Sequence, residues 1–212
     1  MTITWYGHFC LKLSTSATKP VNLIINPYSE YKELGLANVL LQRPDILVNG
    51  NAVKSVNADF VIDSPGEYNI KGIDLFCSKE EGQTIYFIDI DNLKCLFLGE
   101  ISQSEISPKV MAFLPKEIDI LFVPIGGDFV FDGKKHKMIT AEEALKIVKK
   151  INPKIIIPIH FKTPTLKLKI EDASQFMKLL GKKAEPQEKI NLKERDLADK
   201  EKELILLRPY GN

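Results

Sequence analysis

Cysteine pairs and disulfide frameworks are missing from this sequence. Its 212 residues include three cysteines, Cys10, Cys77 and Cys95, each alone in its stretch. Zinc ribbons and zinc fingers need closely spaced pairs of cysteines, so that class of metal site is excluded. An odd number of cysteines, two of them within apolar runs, is typical of buried thiols in a reducing compartment.

Long hydrophobic runs are missing as well. The longest apolar stretches, such as residues 155–159, are far too short to cross a bilayer. The chain opens on Met1-Thr-Ile-Thr-Trp-Tyr, a strand pattern without the basic start and apolar core of a signal peptide. The sequence therefore predicts a cytoplasmic protein that makes no membrane contact.

The chain also has little net charge. Lysine and arginine exceed aspartate and glutamate by one, giving +1 at pH 7, so no general attraction to nucleic acid or to an anionic membrane is expected. The densest basic run is Lys134, Lys135, His136 and Lys137, and we interpret it as a solvated loop with His136 apart from any site. The partner is not identified, and a homo-oligomer stays open.

The sequence is rich in hydrophobic residues, which make up 44% and are spaced as in strands and helices that form a core. Strands are expected at residues 3–6, 9–13, 21–25, 46–48, 60–62, 73–77, 84–90 and 93–98, with a hairpin turn at Asp91-Asn92. Helices are then expected at 104–114, 141–151 and 171–180, alternating with strands at 118–124, 155–160 and 203–208. Thr140 is the expected N-cap of the second helix, and Gly181 the stop of the third.

This order of elements predicts one layered α/β (α+β) domain over residues 1–212. The charged stretch at 182–202 is interpreted as a surface excursion within that domain, with disorder as the alternative.

Polar residues at strand ends are the candidates for chemistry. His8 lies between two strand patterns, Glu100 follows a buried strand, and His160 ends another. Taken singly, each is more simply a hydrogen-bonded structural residue or a cap.

The order of the surrounding motifs changes that assessment, because together it resembles a known family. The motifs are Trp5-Tyr-Gly-His8-Phe-Cys10, Ile24-Ile-Asn26-Pro27-Tyr28, Asp63-Ser-Pro-Gly-Glu67-Tyr68-Asn-Ile-Lys-Gly72, Leu96-Phe-Leu-Gly-Glu100, Ile120-Leu-Phe-Val-Pro-Ile-Gly-Gly127 and Asn152-Pro-Lys-Ile-Ile-Ile-Pro-Ile-His160-Phe-Lys-Thr163. They are similar to landmarks of the metallo-β-lactamase superfamily, in the branch of ascorbate-6-phosphate lactonase and of uncharacterised zinc-dependent hydrolases. The resemblance implies a four-layered αββα sandwich with a site at one edge of its two sheets.

The resemblance also implies one or two metal ions, held mainly by a His-x-His-x-Asp-His loop, that activate water for hydrolysis. Here the loop at residues 49–57 contains neither histidine nor acid, and Asn49 or Asn51 stands at the first ligand position. Glu100 replaces an aspartate, whereas His160 matches a ligand position unchanged. His8 matches a neighbour of the site.

We therefore expect a degraded pocket of His8, Asn49, Asn51, Glu100 and His160, with no catalytic residue, no bound metal and no cofactor. The favoured function is a non-catalytic binding or assembly module. The alternative is a metal-dependent hydrolase of an ester, lactone or phosphodiester with a reduced or altered metal site. Two further readings are a mononuclear site of His8, Glu100 and His160, of the two-histidine-one-carboxylate kind, and a metal-free enzyme with His8 or His160 as its base.

Overall fold

The computed structural model describes residues 1–27, 43–48, 57–80, 83–131 and 133–210. Within those ranges, no helix is both long and apolar enough to cross a membrane. The predicted sites at Asn49 and Asn51 fall outside them.

Two sheets organise the described residues. The first has six strands in the order β14-β1-β2-β3-β4-β5. Their bounds are β1 Thr2–Gly7, β2 Cys10–Ser14, β3 Asn22–Ile25, β4 Ile46–Val48, β5 Phe60–Ile62 and β14 Lys189–Asn191. The strands predicted at 3–6, 9–13 and 21–25 are therefore confirmed as neighbours in one sheet.

The second sheet has seven strands in the order β15-β13-β10-β9-β8-β7-β6. Their bounds are β6 Gly66–Ile70, β7 Ile73–Glu80, β8 Gln83–Ile90, β9 Leu93–Ile101, β10 Ile120–Pro124, β13 Ile155–Ile159 and β15 Glu203–Leu204. Strands β9, β10 and β13 run parallel, so their carboxyl ends meet at one edge of the sheet. Side chains of both sheets belong to one continuous buried cluster.

Three helices and a small hairpin complete the described elements. They are α1 Pro108–Phe113, α2 Ala141–Ile151, α3 Ala173–Leu180, and the antiparallel pair β11 Phe129–Phe131 and β12 Lys134–His136; a 3-10 turn covers Glu194–Leu197. Helix α2 begins as predicted at Thr140, whose hydroxyl accepts from the Glu143 amide while the Glu143 carboxylate accepts from the Thr140 amide. Helix α3 ends at Gly181, which adopts the left-handed conformation.

The predicted α/β sandwich of the metallo-β-lactamase kind is confirmed, and the departures from the predicted elements are local. The first helix spans 108–113 instead of 104–114, because Pro108 occupies its first turn. The charged stretch 182–202 contains β14, which pairs with β1, so the disorder alternative is wrong there. Strand β6 and the β11–β12 hairpin were not predicted.

Candidate functional site

The strand-end histidines His8 and His160 meet where the two sheets approach each other. His8 lies in the turn between β1 and β2, and His160 directly follows β13. The His8 carbonyl accepts from the Trp5 indole nitrogen and from the His160 amide, both at 3.1 Å. The indole bond holds the turn against β1, and the His160 amide bond joins that turn to the end of β13 in the other sheet.

Three residues at this edge have a left-handed backbone conformation. His8, Asn26 and His160 have φ of 51°, 47° and 48°, a left-handed conformation that costs a non-glycine residue roughly 1–2 kcal/mol. Each of the three follows a strand, at Gly7, Ile25 and Ile159 respectively. Such strain persists only where surrounding packing imposes it, and it is typical of functional positions.

The glycine pair Gly126-Gly127 follows β10, at a place where the backbone of His160 comes very close. A Cβ on Gly126 would lie 2.2 Å from the backbone oxygen of His160, so no other residue fits. Gly127 has φ of 72°, and its carbonyl oxygen faces His160 Nε2 at 3.4 Å. The sequence motif contains Gly126-Gly127 but does not reveal this contact with the histidine.

The two imidazoles bond directly to each other, with 2.8 Å between His8 Nδ1 and His160 Nδ1. A carbonyl oxygen can only accept, so the Gly127 contact assigns the proton of neutral His160 to Nε2. His160 Nδ1 is then an acceptor, and His8 Nδ1 must carry the proton that it donates. In neutral His8 the remaining nitrogen, Nε2, keeps a lone pair that accepts no hydrogen bond from the part of the chain that the structure describes.

Burial keeps this pair uncharged. His160 is fully buried, and desolvation lowers its pKa to about 3, although the bond to the Gly127 carbonyl acts in the opposite direction. Desolvation also lowers the pKa of His8 well below its ordinary value, with smaller contributions from His160 and His136. Both rings are therefore neutral at pH 7, and the donor and the acceptor of each hydrogen bond from His8 through His160 to Gly127 are fixed.

Aromatic rings surround the pair. Phe9 stacks on His160 at 4.5 Å between ring centroids, and Phe129 lies 5.0 Å from His160 and 5.4 Å from His8. His136 stacks on the Phe129 ring at 4.6 Å. These apolar rings exclude water from the His160 side of the pair.

The position of His136 corrects the sequence interpretation. Lys134, Lys135 and Lys137 are exposed as predicted, but His136 is half-buried on β12 and belongs to the surroundings of the site. The overlooked signal is an alternating run, Phe129-Val-Phe131, followed by Asp132-Gly133, a dipeptide that favours hairpin turns.

Glu100 is not brought against the histidines. Glu100 is exposed near the end of β9, at the same edge of the sheet as His160. Because β10 lies between β9 and β13, the backbones of Glu100 and His160 are two strand spacings apart, about 10 Å. Over the residues that the structure describes, no group of three histidine, cysteine or acidic side chains is placed to hold a metal ion. The alternative of a mononuclear site of His8, Glu100 and His160 therefore has no support among the described side chains, whereas the degraded pocket at this edge stays a prediction.

The zinc centre that the fold family implies does not fit these donors. Zinc–nitrogen bonds of about 2.0–2.1 Å require a lone pair on each imidazole. His160 has none to offer, since its Nε2 carries a proton and its Nδ1 accepts from His8. His8 Nε2 is the one free lone pair of the two rings, and a single neutral nitrogen does not hold zinc tightly.

Comparison with known proteins agrees with the fold. The chain matches the β-lactamase superfamily domain model over residues 2–160, from β1 to the second histidine of the pair. A UPF0173 protein of Pyrococcus abyssi is 27% identical over 189 residues, covering 77% of this chain and 84% of the relative. A UPF0173 metal-dependent hydrolase of Thermococcus onnurineus is 31% identical over 101 residues, covering 47% of this chain and 40% of the relative.

A crystal structure from Thermotoga maritima is similar over its whole length. It has a TM-score of 0.76 and 25% identity, covering 98% of each chain, and it bears a provisional description as a zinc-dependent hydrolase of the metallo-β-lactamase superfamily. The family-model match extends over most of the chain and includes both histidines of the pair. This chain therefore belongs to the metallo-β-lactamase superfamily.

Proposed function

We propose that the chain is a hydrolase with an altered site, acting on an ester, a lactone or a phosphodiester. The observation that carries the proposal is the lone pair of His8 Nε2, which has no hydrogen-bond partner among the described residues and is oriented by the hydrogen bonds from His8 to His160 and from His160 to Gly127. The relatives are described as metal-dependent or zinc-dependent hydrolases, so they support the hydrolase class over the non-catalytic module that the sequence favoured. The metal-free form of the reaction is supported by the histidine pair alone.

In the proposed reaction His8 acts as general base. Its Nε2 takes a proton from water as the water oxygen attacks the carbonyl carbon or the phosphorus. The resulting imidazolium donates its Nδ1–H to the neutral His160, whose Nε2–H donates to Gly127, and these bonds offset part of the desolvation that lowers the pKa of His8. The same proton then passes from His8 to the leaving oxygen, so acid and alcohol form from ester and water. No step is assigned to a metal ion.

A second candidate remains the non-catalytic binding or assembly module. The observation that favours it is the sequence of residues 49–57, which has no histidine, cysteine, aspartate or glutamate where the family has its ligands. Either candidate is proposed as one domain over residues 1–212, located in the cytoplasm. Three buried, free cysteines support that location.

The test is a hydrolysis assay on p-nitrophenyl butyrate, a γ-lactone and bis(p-nitrophenyl) phosphate. Each is measured on protein purified without chelators, after EDTA treatment and with added zinc. We expect turnover of at least one substrate that survives EDTA and falls at least about 100-fold in His8→Gln. The matched histidine variant His136→Gln should keep most of the activity, because its ring bonds to neither member of the pair.

The other outcomes distinguish the candidates. Activity that EDTA abolishes and zinc restores would contradict the metal-free step while keeping the hydrolase class. No turnover of any substrate in all three conditions would contradict the hydrolase proposal and favour the binding module.

A further inference from the structure

The outer face of the second sheet carries two neighbouring rows of side chains at β6, β7 and β8. The strand register places three residues directly opposite one another in each row. One row is Glu67, Phe76 and Phe87, and the other is Asn69, Asp74 and Asp89. An aromatic row therefore lies beside an acidic one on the same face.

Helix α1 covers this face incompletely. Its last residue, Phe113, stacks on Phe76 at 5.1 Å with 17° between the rings, yet remains 55% exposed. The result is a groove of about 390 Å³ between the helix end and the sheet, with Phe76, Phe87 and Phe113 on its walls and Glu67 and Asp74 beside them. Three phenyl rings are thus accessible from solvent at one place.

The acidic row places two carboxylates side by side, with Lys94 of β9 directly opposite Asp89 and no lysine opposite Asp74. Asp74 and Asp89 are direct cross-strand neighbours, an arrangement in which like charges destabilise a sheet. Burial raises the pKa of Asp89, with a further contribution from Asp74, whereas Lys94 on β9 acts in the opposite direction. Asn69 Nδ2 donates to Asp74 at 2.6 Å, but no described cation forms an ion pair with Glu67, Asp74 or Asp89.

We propose that this groove binds an organic ammonium ion with an apolar body. The faces of phenyl rings attract cations electrostatically, and alkyl groups around the nitrogen displace water from the same rings. The carboxylates of Glu67 and Asp74 supply the opposite charge at the rim, and a cation there offsets the repulsion between Asp74 and Asp89. The site is independent of the histidine pair and of the proposed hydrolysis.

The test compares two isosteres by NMR titration of the full chain. Choline is the probe, and 3,3-dimethylbutan-1-ol has the same shape with carbon in place of the charged nitrogen. We expect choline to bind with shifts confined to amides of β6, β7, β8 and α1, and to bind about fivefold tighter than the neutral alcohol. Equal affinity for both compounds, shifts elsewhere, or no binding of choline at 50 mM would each overturn the proposal.

Two variants assign the contributions. Phe113→Ala removes an exposed ring, and Asp74→Asn removes one charge without changing shape, so neither is expected to unfold the chain. Each should weaken choline binding at least threefold, whereas Val130→Ala, which trims a side chain 63% exposed elsewhere, should leave it unchanged. Unchanged affinity in both groove variants would overturn the assignment, and melting curves of all three variants verify that they are folded.

Discussion

Lowering the pH from 7 to 5 should destabilise the folded chain through His160. The unfolded chain binds a proton at this imidazole below its ordinary pKa of 6.5, whereas the folded chain does so only near 3. The folded state therefore loses stability as the pH falls through this window and gains nothing from a rise above 7. The free energy of unfolding falls by about 2 kcal/mol at pH 5 through His160 alone. His8, whose pKa is also lowered, adds a loss of the same sign.

The assay is urea unfolding at pH 7, 6 and 5, followed by the fluorescence of Trp5. This residue is the only tryptophan and is fully buried against Phe161. The control is His160→Gln, which has no titratable ring, so its loss of stability over the same window should be about 2 kcal/mol smaller. Titrating groups away from the pair are common to both proteins and cancel in the difference, whereas any change in the titration of His8, which bonds to His160, is included in it.

A second measurement covers the case in which His160→Gln does not fold. Histidine ring protons of the wild-type chain are followed by NMR from pH 8 to 5, and the His160 signal should not titrate. Equal pH dependence in the two proteins, or a His160 ring that titrates near 6.5, would refute the buried neutral pair.

Three further predictions concern single positions. Gly126→Ala should lower the free energy of unfolding in a urea titration by about 3 kcal/mol, because its Cβ meets the backbone oxygen of His160. The control Gly133→Ala, in open space at φ of 70°, should lower it by about 1 kcal/mol. Equal losses would contradict the close approach. Thr140→Ala should cost about 1 kcal/mol by thermal unfolding, since it removes the acceptor of the Glu143 amide, and an unchanged melting temperature would exclude that role. All three cysteine thiols should resist Ellman's reagent at pH 8 until urea is added, because they are buried. Burial also raises their pKa values, that of Cys77 to about 11. Fast labelling of the native protein would count against this burial.

Local signals predicted most elements of the fold. The capping box of helix α2 joins the adjacent Thr140 to Glu143, and the apolar face lies within the helix's own eleven residues. Asp91-Asn92 forms the expected turn, with φ of 54° and 59°. Strand β14 was missed because its place depends on pairing with β1, at the other end of the chain. Strand β6 was missed because it lies at a sheet edge, where alternate residues are exposed and the hydrophobic pattern is weak.

The candidate site was predictable in part. Strand ends and family motifs indicated His8 and His160, but their direct bond joins residues 152 positions apart and depends on the approach of two sheets. The neutral state of the pair follows from burial that no local pattern reveals. Glu100 was placed at the correct edge, yet the strand between it and His160 sets a separation that motif order does not show.

We propose that hydrolysis at this site depends on the His8–His160 pair and not on the zinc centre of the family. The decisive measurement is the zinc content per chain, determined by elemental analysis after purification without chelators. We expect well under one zinc per chain and little rise in melting temperature with excess zinc, since both ring nitrogens of His160 are engaged in hydrogen bonds. One zinc per chain in the wild type, lost in His160→Gln, would contradict it.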